Sequence, residues 1–362
     1  MGLQKLAALP VDQQPFWFRA AASLLAALWR IISYLKNFLY DHHLLRVHRL
    51  PGHCLSVGNL VAGGTGKSPV VISLASHFYK KGLKAAILTR GYGSPLGRKD
   101  ILVLKGGRLL YQQGDYSGPL PDEALMQSRE LPHTPVIVSP RRYQAACFFL
   151  SCESLSPDIW LLDDGFQHRK LARNTDLVLL DYHSPFANGA CLPQGMLREM
   201  PASLKRASVV LLTRSSGQVL SSDLSFWPWV PHKTPVFASQ FKQSWPVSAS
   251  EESMYQKDGK PLSLLSGIAR PERLFDSLKK LGIEIQHSFF IADHEHFDLP
   301  SHKERVMKLS DIGHIITTAK DFHRDDVFFR SLPGKVFILP LEIHLPDAFF
   351  SCLMRRISSA ID

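Results

Sequence analysis

The sequence predicts an α/β fold: a P-loop, doubly wound, mostly parallel sheet with helices on both faces, a smaller C-terminal α/β domain, and an amphipathic helix in front. Three observations predict it. Short apolar runs at 85–90, 136–139, 159–163, 177–181 and 209–213 alternate with helical stretches, which is the pattern of parallel sheets with crossover helices. A glycine-rich turn follows the first strand candidate, 53–57, and leads into an amphipathic helix over 70–81. The apolar run Ile159-Trp160-Leu161-Leu162 ends directly in Asp163-Asp164. Several runs are continuously apolar, as strands covered on both faces must be. Ligands of such sheets sit beyond the carboxyl ends of the strands, so the residues after each run are the first site candidates.

The chain has 362 residues, of which 45% are hydrophobic and 20% charged. That is enough apolar material for two domains, and it excludes a disordered or fibrous protein. The reading divides it into an N-terminal segment 1–50, a main domain 51–214, a linker 215–260 rich in Ser, Trp, Pro and Lys, and a smaller domain 261–362. Five cysteines without a C-x-x-C pair read as free thiols in a reducing compartment. Residues 1–260 hold 29 basic and 18 acidic side chains, against 13 and 14 in 261–362. The basic excess calls for an anionic partner: nucleic acid, a phosphorylated ligand or an anionic membrane surface.

Met1–Pro15 lacks the layout of a secretory signal, and Leu6 stands where a myristoylation motif needs Ser or Thr. From Phe16 to Tyr40 there is no Gly or Pro. The uncharged run between Arg19 and Arg30 is too short for a regular membrane span, which needs about 20 apolar residues. At about 100° per residue, Arg19, Ser23, Arg30, Ser33 and Asn37 form a narrow polar stripe, with Lys36 at its flank. A wide apolar face, many aromatic rings and a basic collar (His42, His43, Arg46, His48, Arg49) predict a helix lying on an anionic membrane surface. Packing on its own domain is the alternative.

In the turn, Gly63, Gly64, Thr65, Gly66, Lys67 and Ser68 form a phosphate-binding signature. Glycines free backbone N–H groups for phosphate, the lysine reaches the β- and γ-phosphates, and the hydroxyl ligates Mg²⁺. Val61 departs from the usual glycine at that position. Asp163 or Asp164, at a strand end, would hold the metal. Asp122 and Glu123 open a helix; they either favour its dipole or supply a proton acceptor. Arg141 and Arg142 begin another helix, where positive charge favours a nearby anion. Arg198-Glu199 follows the loop Leu192-Pro193-Gln194-Gly195, and its arginine could clamp a phosphoryl group. His168 faces a phosphate or caps a loop. His294 and His296 sit two apart beside Asp293, a weak metal pattern without a cysteine partner.

Together these motifs resemble the tetraacyldisaccharide 4′-kinases of lipid A biosynthesis. The matching segments are V-G-N-L-V-A-G-G-T-G-K-S-P (57–69), T-R-G-Y-G (89–93), D-E-A (122–124), D-D-G-F-Q-H (163–168), L-P-Q-G-M-L-R-E (192–199), G-I-A-R-P (267–271), D-H-E-H-F (293–297) and T-T-A-K-D (317–321). The resemblance implies ATP-dependent phosphorylation of the 4′-hydroxyl of a tetraacyldisaccharide 1-phosphate to lipid IVA, at the cytoplasmic face of the inner membrane, by a peripheral enzyme. It implies ATP and Mg²⁺ as cofactors and a lipid A precursor as partner. Asp122 matches the family's proposed base, with His294 as its partner. Lys67, Ser68, Glu123, Arg142, Asp163, Asp164, His168, Arg198 and Glu199 match other active-site positions. The family also lacks glycine at the position of Val61, whereas Ala319 stands where it usually has Glu.

Two other readings share the phosphate loop. A nucleotide-dependent membrane switch would not need Asp122 or His294. A nucleic-acid-dependent ATPase is disfavoured because the sequence carries no nucleic-acid-binding motif. The reading therefore expects no nucleic acid and no obligate protein partner.

Overall fold

Strand β1 (His53–Asn59) lies near the middle of a nine-stranded sheet and is buried along its whole length. This is a computed structural model, and it describes residues 3–63, 65–153, 156–215, 228–250, 253–267, 272–292 and 295–361. Two helices precede β1: α1 (Leu3–Ala8) and α2 (Phe16–Asp41). The rest of the sheet is β2 (Ala85–Thr89), β3 (Ile101–Lys105), β4 (Arg108–Gln113), β5 (Val136–Val138), β6 (Ile159–Asp163), β7 (Thr175–Asp181), β8 (Val209–Thr213) and β9 (Val236–Ala238). Their spatial order is β4-β3-β5-β2-β6-β1-β7-β8-β9. Pairing is parallel except where β3 meets β5 and β4. The β3–β4 hairpin is an addition to the parallel set the periodicity predicts. Its turn, Gly106-Gly107 at φ 58° and 76°, has the two left-handed residues a tight hairpin needs.

Helices α3 (Lys67–Lys80), α4 (Asp122–Glu130) and α5 (Arg142–Cys152) connect these strands. Period-two alternation sends Leu55, Val57 and Leu161 to one face, against Val70, Leu74 and Phe78 of α3. It sends Cys54, Trp160 and Leu162 to the other, against Ala145 and Phe149 of α5. Both faces are covered, which is why the strands read as unbroken apolar runs.

Beyond β9 the chain leaves through β10 (Gln240–Gln243) into a second sheet: β11 (Val247–Ser248), β12 (Leu262–Ser266), β13 (His287–Phe290), β14 (His314–Thr318) and β15 (Val336–Leu339), ordered β11-β15-β14-β12-β13. Helices α6 (Glu272–Lys280), α7 (Pro300–Ile312), α8 (Ala319–Arg324) and α9 (Asp326–Arg330) accompany it. The chain returns through β16 (Leu341–His344), antiparallel to β10, and ends in α10 (Asp347–Ile361). Phe349, Leu353 and Ile357 of α10 are buried in the core of the first sheet beside Leu55 and Leu177. The last helix therefore packs with the large sheet, although the sequence reading groups all of 261–362 as one domain. Its spacing shows an apolar face but not which sheet covers it.

Helix α2 spans roughly 39 Å at 1.5 Å per residue. Phe18, Ala22 and Ala26, four residues apart on one row, are buried. Ala26 packs with Leu60, Phe166 and Leu197 of the main body, where small residues permit close approach. Leu24, Ile31 and Leu35 on the remaining surface are more than half exposed. By length and composition α2 is the one helix among the described residues that could cross a membrane.

Candidate active site

Strand β1 ends on Asn59, whose side chain is fully enclosed. Its amide donates to the Val61 carbonyl (2.7 Å) and the Thr65 hydroxyl (2.8 Å), and its carbonyl accepts from the Lys67 ammonium at 3.4 Å. One side chain thus shapes the turn between β1 and α3. Gly66 closes that turn at φ 82°, and a Cβ there would lie 2.2 Å from the Phe241 ring of β10. Conformation and space both demand glycine. The first N–H groups of α3, from Lys67 onward, have no intrahelical partners and can serve an anion. Gly63 and Thr65 belong to the same turn; Gly64 lies outside the described residues.

Three carboxylates converge on this turn. Ser68 donates its hydroxyl to Glu123, in the first turn of α4. One helical turn further on, Gln127 donates to Asp163 Oδ2 (2.8 Å). Asp163, at the end of β6, is buried, and its pKa is pushed up to about 7 by that burial and then by the Glu123 charge. Asp164 is paired with cations rather than with Ser68. Arg198 Nη1 holds both its oxygens (2.7 and 2.6 Å), and Lys67 lies 3.4 Å from Oδ1. Burial raises its pKa, but Lys67, Arg198 and Arg142 outweigh burial and hold it below the usual range. Asp122 is the first residue of α4, half-buried beside Glu123.

Arg142 is buried and spends its guanidinium on main chain, donating to the Asp163 carbonyl (2.6 Å) and the Asp164 carbonyl (3.1 Å). It braces the aspartate turn. His168 is pushed down to about 3, by burial first and then by Arg142, Arg173 and Lys36, so it is neutral at pH 7. The loop before Arg198 is zipped to the glycine-rich turn after β1: Ala62 N–H donates to the Met196 carbonyl and Arg198 N–H to the Leu60 carbonyl, each at 2.7 Å. Glu199 is buried and pairs with Arg206 (2.6 Å), whose guanidinium stacks over Phe166 at 4.5 Å. Glu199→Ala leaves that cation buried and unpaired, so it is expected to destabilise the fold by about 3–5 kcal/mol, read as a lower urea midpoint.

Lys67, Ser68, Glu123, Asp163, Asp164 and Arg198 line a cleft of about 4420 Å³, walled also by Trp17 and Leu25 of α2, by Thr318 at the end of β14 and by Lys320 of α8; Asp122 is not among its lining residues. The volume is several times the roughly 300–1,000 Å³ of a single small-ligand pocket, which leaves room for more than one small ligand. His294 lies outside the described residues. His296 pairs with Asp325 (2.5 Å). Asp298 is close enough to complete a possible ligand set, but Asp325 already accepts from Phe297 N–H and Arg324. All five cysteines are free. Burial pushes Cys54 up to about 12.

The sequence reading missed Asn59, Gln127 and Arg206. Asn59 was detectable as a polar residue closing an apolar strand, and Gln127 as the helical neighbour of Glu123. Arg206 had no local signal.

Asp163 also sets a pH expectation. With a folded pKa near 7 and an ordinary unfolded one, the native state holds a proton that the unfolded state lacks between about pH 4 and 7. Its contribution to stability therefore falls as pH rises through that window. Metal-free Asp163→Asn is expected to melt higher than wild type at pH 8, the gap closing toward pH 4, in paired thermal scans.

Parallel strands that present a lysine, a hydroxyl and clustered carboxylates to one cleft define a phosphoryl-transfer enzyme of the α/β class. Comparison identifies which one. The family model LpxK, tetraacyldisaccharide-1-P 4'-kinase, matches residues 18–358. A tetraacyldisaccharide 4'-kinase of Syntrophus aciditrophicus is 31% identical over 357 residues, covering 95% of this chain and 90% of its own. One from Anaeromyxobacter dehalogenans is 34% identical, with 88% and 85% covered. The crystal structure of LpxK from Aquifex aeolicus in complex with ATP matches with TM-score 0.71 at 27% identity, over 92% of this chain and 97% of that one. The chain belongs to the tetraacyldisaccharide 4'-kinase family and is a kinase of lipid A biosynthesis.

Proposed function

We propose that this chain transfers the γ-phosphoryl group of ATP to the 4′-hydroxyl of a tetraacyldisaccharide 1-phosphate, giving lipid IVA and ADP. The observation that carries the reading is the convergence of Lys67, the Ser68–Glu123 pair and Asp163 on one cleft, in a chain of this family. Asp122 accepts the proton of the sugar hydroxyl as that oxygen bonds to the γ-phosphorus. The bond from phosphorus to the β–γ bridging oxygen breaks, and its electron pair leaves with ADP. Lys67 and Arg198 compensate the charge on the transferring group. His294 enters as the partner of Asp122 on the family resemblance alone.

Ser68, Glu123 and Asp163 offer an all-oxygen donor set suited to Mg²⁺, and burial, followed by the Glu123 charge, holds a proton on Asp163 up to about pH 7, a cost that a bound cation would offset. When bound, the ion neutralises the β- and γ-phosphate oxygens. Asp164, held by Arg198 and Lys67, orients those two cations.

Helix α2 supports association with a membrane surface, and the cytoplasmic face of the inner membrane enters on the family resemblance alone. The helix's outward surface carries an exposed apolar strip of Leu24, Leu28, Ile31 and Leu35, and contiguous apolar patches of this kind mark protein or membrane contact sites when they are large. The basic excess of residues 1–260 favours an anionic surface. We also take 51–214 as the kinase domain and 215–260 as the connection to the smaller domain, with α10 returning to the former.

The test is transfer of labelled γ-phosphate from ATP to tetraacyldisaccharide 1-phosphate in detergent micelles. Radiolabelled lipid IVA is the expected product. Folded, ATP-binding protein that forms none overturns the reading.

A further inference from the structure

We propose that Trp29 and Lys36 of α2 are positioning residues, setting the Lys67 ammonium through two hydrogen-bond chains. In the first, the Trp29 indole N–H donates to the Arg198 carbonyl (2.9 Å). Arg198 grips both oxygens of Asp164 (2.7 and 2.6 Å), and Asp164 Oδ1 lies 3.4 Å from Lys67 Nζ. In the second, Lys36 Nζ donates to the Gln167 carbonyl (3.0 Å). Gln167 Nε2 donates to the Asn59 carbonyl (2.9 Å), and Asn59 Oδ1 lies 3.4 Å from the same Nζ. Both chains begin on one helix, seven residues apart, and both end on one ammonium.

An anchor needs only its apolar face. This helix also uses its polar edge on the body. Ser23 accepts from Gln194 (2.7 Å), and Asn37 accepts from Arg206 (2.8 Å). Lys36 turns its charge toward a protein carbonyl, whereas a lysine serving only the membrane surface extends into the headgroups. Loop carbonyls beneath a helix need donors, and here the donors come from the helix itself. The seating of α2 is thereby tied mechanically to the group that faces the phosphates. The proposal rests on the kinase reading only in taking Lys67 as that group.

Three variants test it. Trp29→Phe keeps the ring and the apolar face but removes the donor. Lys36→Met keeps the stem and removes the donor, while Lys36→Arg retains one. In substrate-containing micelles, Trp29→Phe and Lys36→Met are each expected to lower kcat/KM for ATP about tenfold, the scale of one hydrogen bond in a charged network. Lys36→Arg is expected to recover most of the loss. Melting temperature and pelleting with phosphatidylglycerol–phosphatidylethanolamine vesicles are expected to stay at wild-type values. Unchanged kcat/KM in both donor-removing variants overturns the proposal. So does a loss that tracks lost pelleting or lost stability and is not recovered by arginine, because α2 is then an anchor or a prop alone. Affinity for a fluorescent ATP analogue, measured on the same samples, follows Lys67 without turnover. If wild type transfers no phosphate, the kinase reading fails, while analogue affinity still decides this proposal.

Discussion

Asp122→Asn is expected to lower kcat by about 10²–10⁴-fold, the usual contribution of a general base, with nucleotide affinity and melting temperature near wild type. The amide is isosteric with the carboxylate. It can still begin α4 after Pro121 and leave the Glu123–Ser68 and Gln127–Asp163 contacts in place. It cannot accept the hydroxyl proton. Single-turnover transfer with labelled ATP isolates the chemical step from product release. A variant that transfers phosphate at the wild-type rate removes Asp122 from that role and leaves the kinase assignment standing.

Lys67→Met is expected to lower kcat/KM for ATP by about 10²–10³-fold, as loss of one preorganised donor to developing charge does. The ammonium sits between Asn59 Oδ1 and Asp164 Oδ1, 3.4 Å from each. Its removal also leaves Arg198 as the remaining salt-bridge partner of Asp164 among the described residues. Lys67→Arg is expected to rescue poorly, because a planar guanidinium cannot occupy the position of a compact ammonium. Both variants should keep their fold, since Lys67 is partly solvent-exposed and contributes no apolar packing in the core. Steady-state kinetics with varied ATP check this, and near-wild-type activity in Lys67→Met would contradict the placement of phosphate at this turn.

Much of the large sheet was legible because its strands are covered on both faces. Burial on both sides favours continuous apolar runs, and 159–162 and 209–212 show them, whereas 53–57 is read from alternating apolar positions because His53 and Ser56 interrupt it. The β3–β4 hairpin was less legible. Its outer strand is mostly exposed, Arg108–Gln113, so no core requirement shapes its composition. The carboxylates after β6 stood out because a charge ending an apolar run is conspicuous. Their division of labour did not: Asp163 and Asp164 are neighbours in sequence, yet one is buried beside Gln127 and the other is gripped by Arg198 and Lys67.

Arg142 shows the same limit. Positive charge at a helix start suggests a nearby anion, whereas the hydrogen-bond acceptors found for Arg142 are main-chain oxygens of the aspartate turn. For α2, composition establishes the helix and its wide apolar face. The use of its polar edge depends on loops more than a hundred residues away in sequence.

By itself the sequence determined the alternation of elements, the glycine turn with its lysine and hydroxyl, and the family, because backbone conformation and burial impose local patterns that a chain must display. Only the tertiary structure decided which carboxylate meets which cation, that α10 joins the first core, and that α2 reaches Lys67. Those outcomes arise from distant segments brought within hydrogen-bond and packing distance, and no local spacing encodes that geometry.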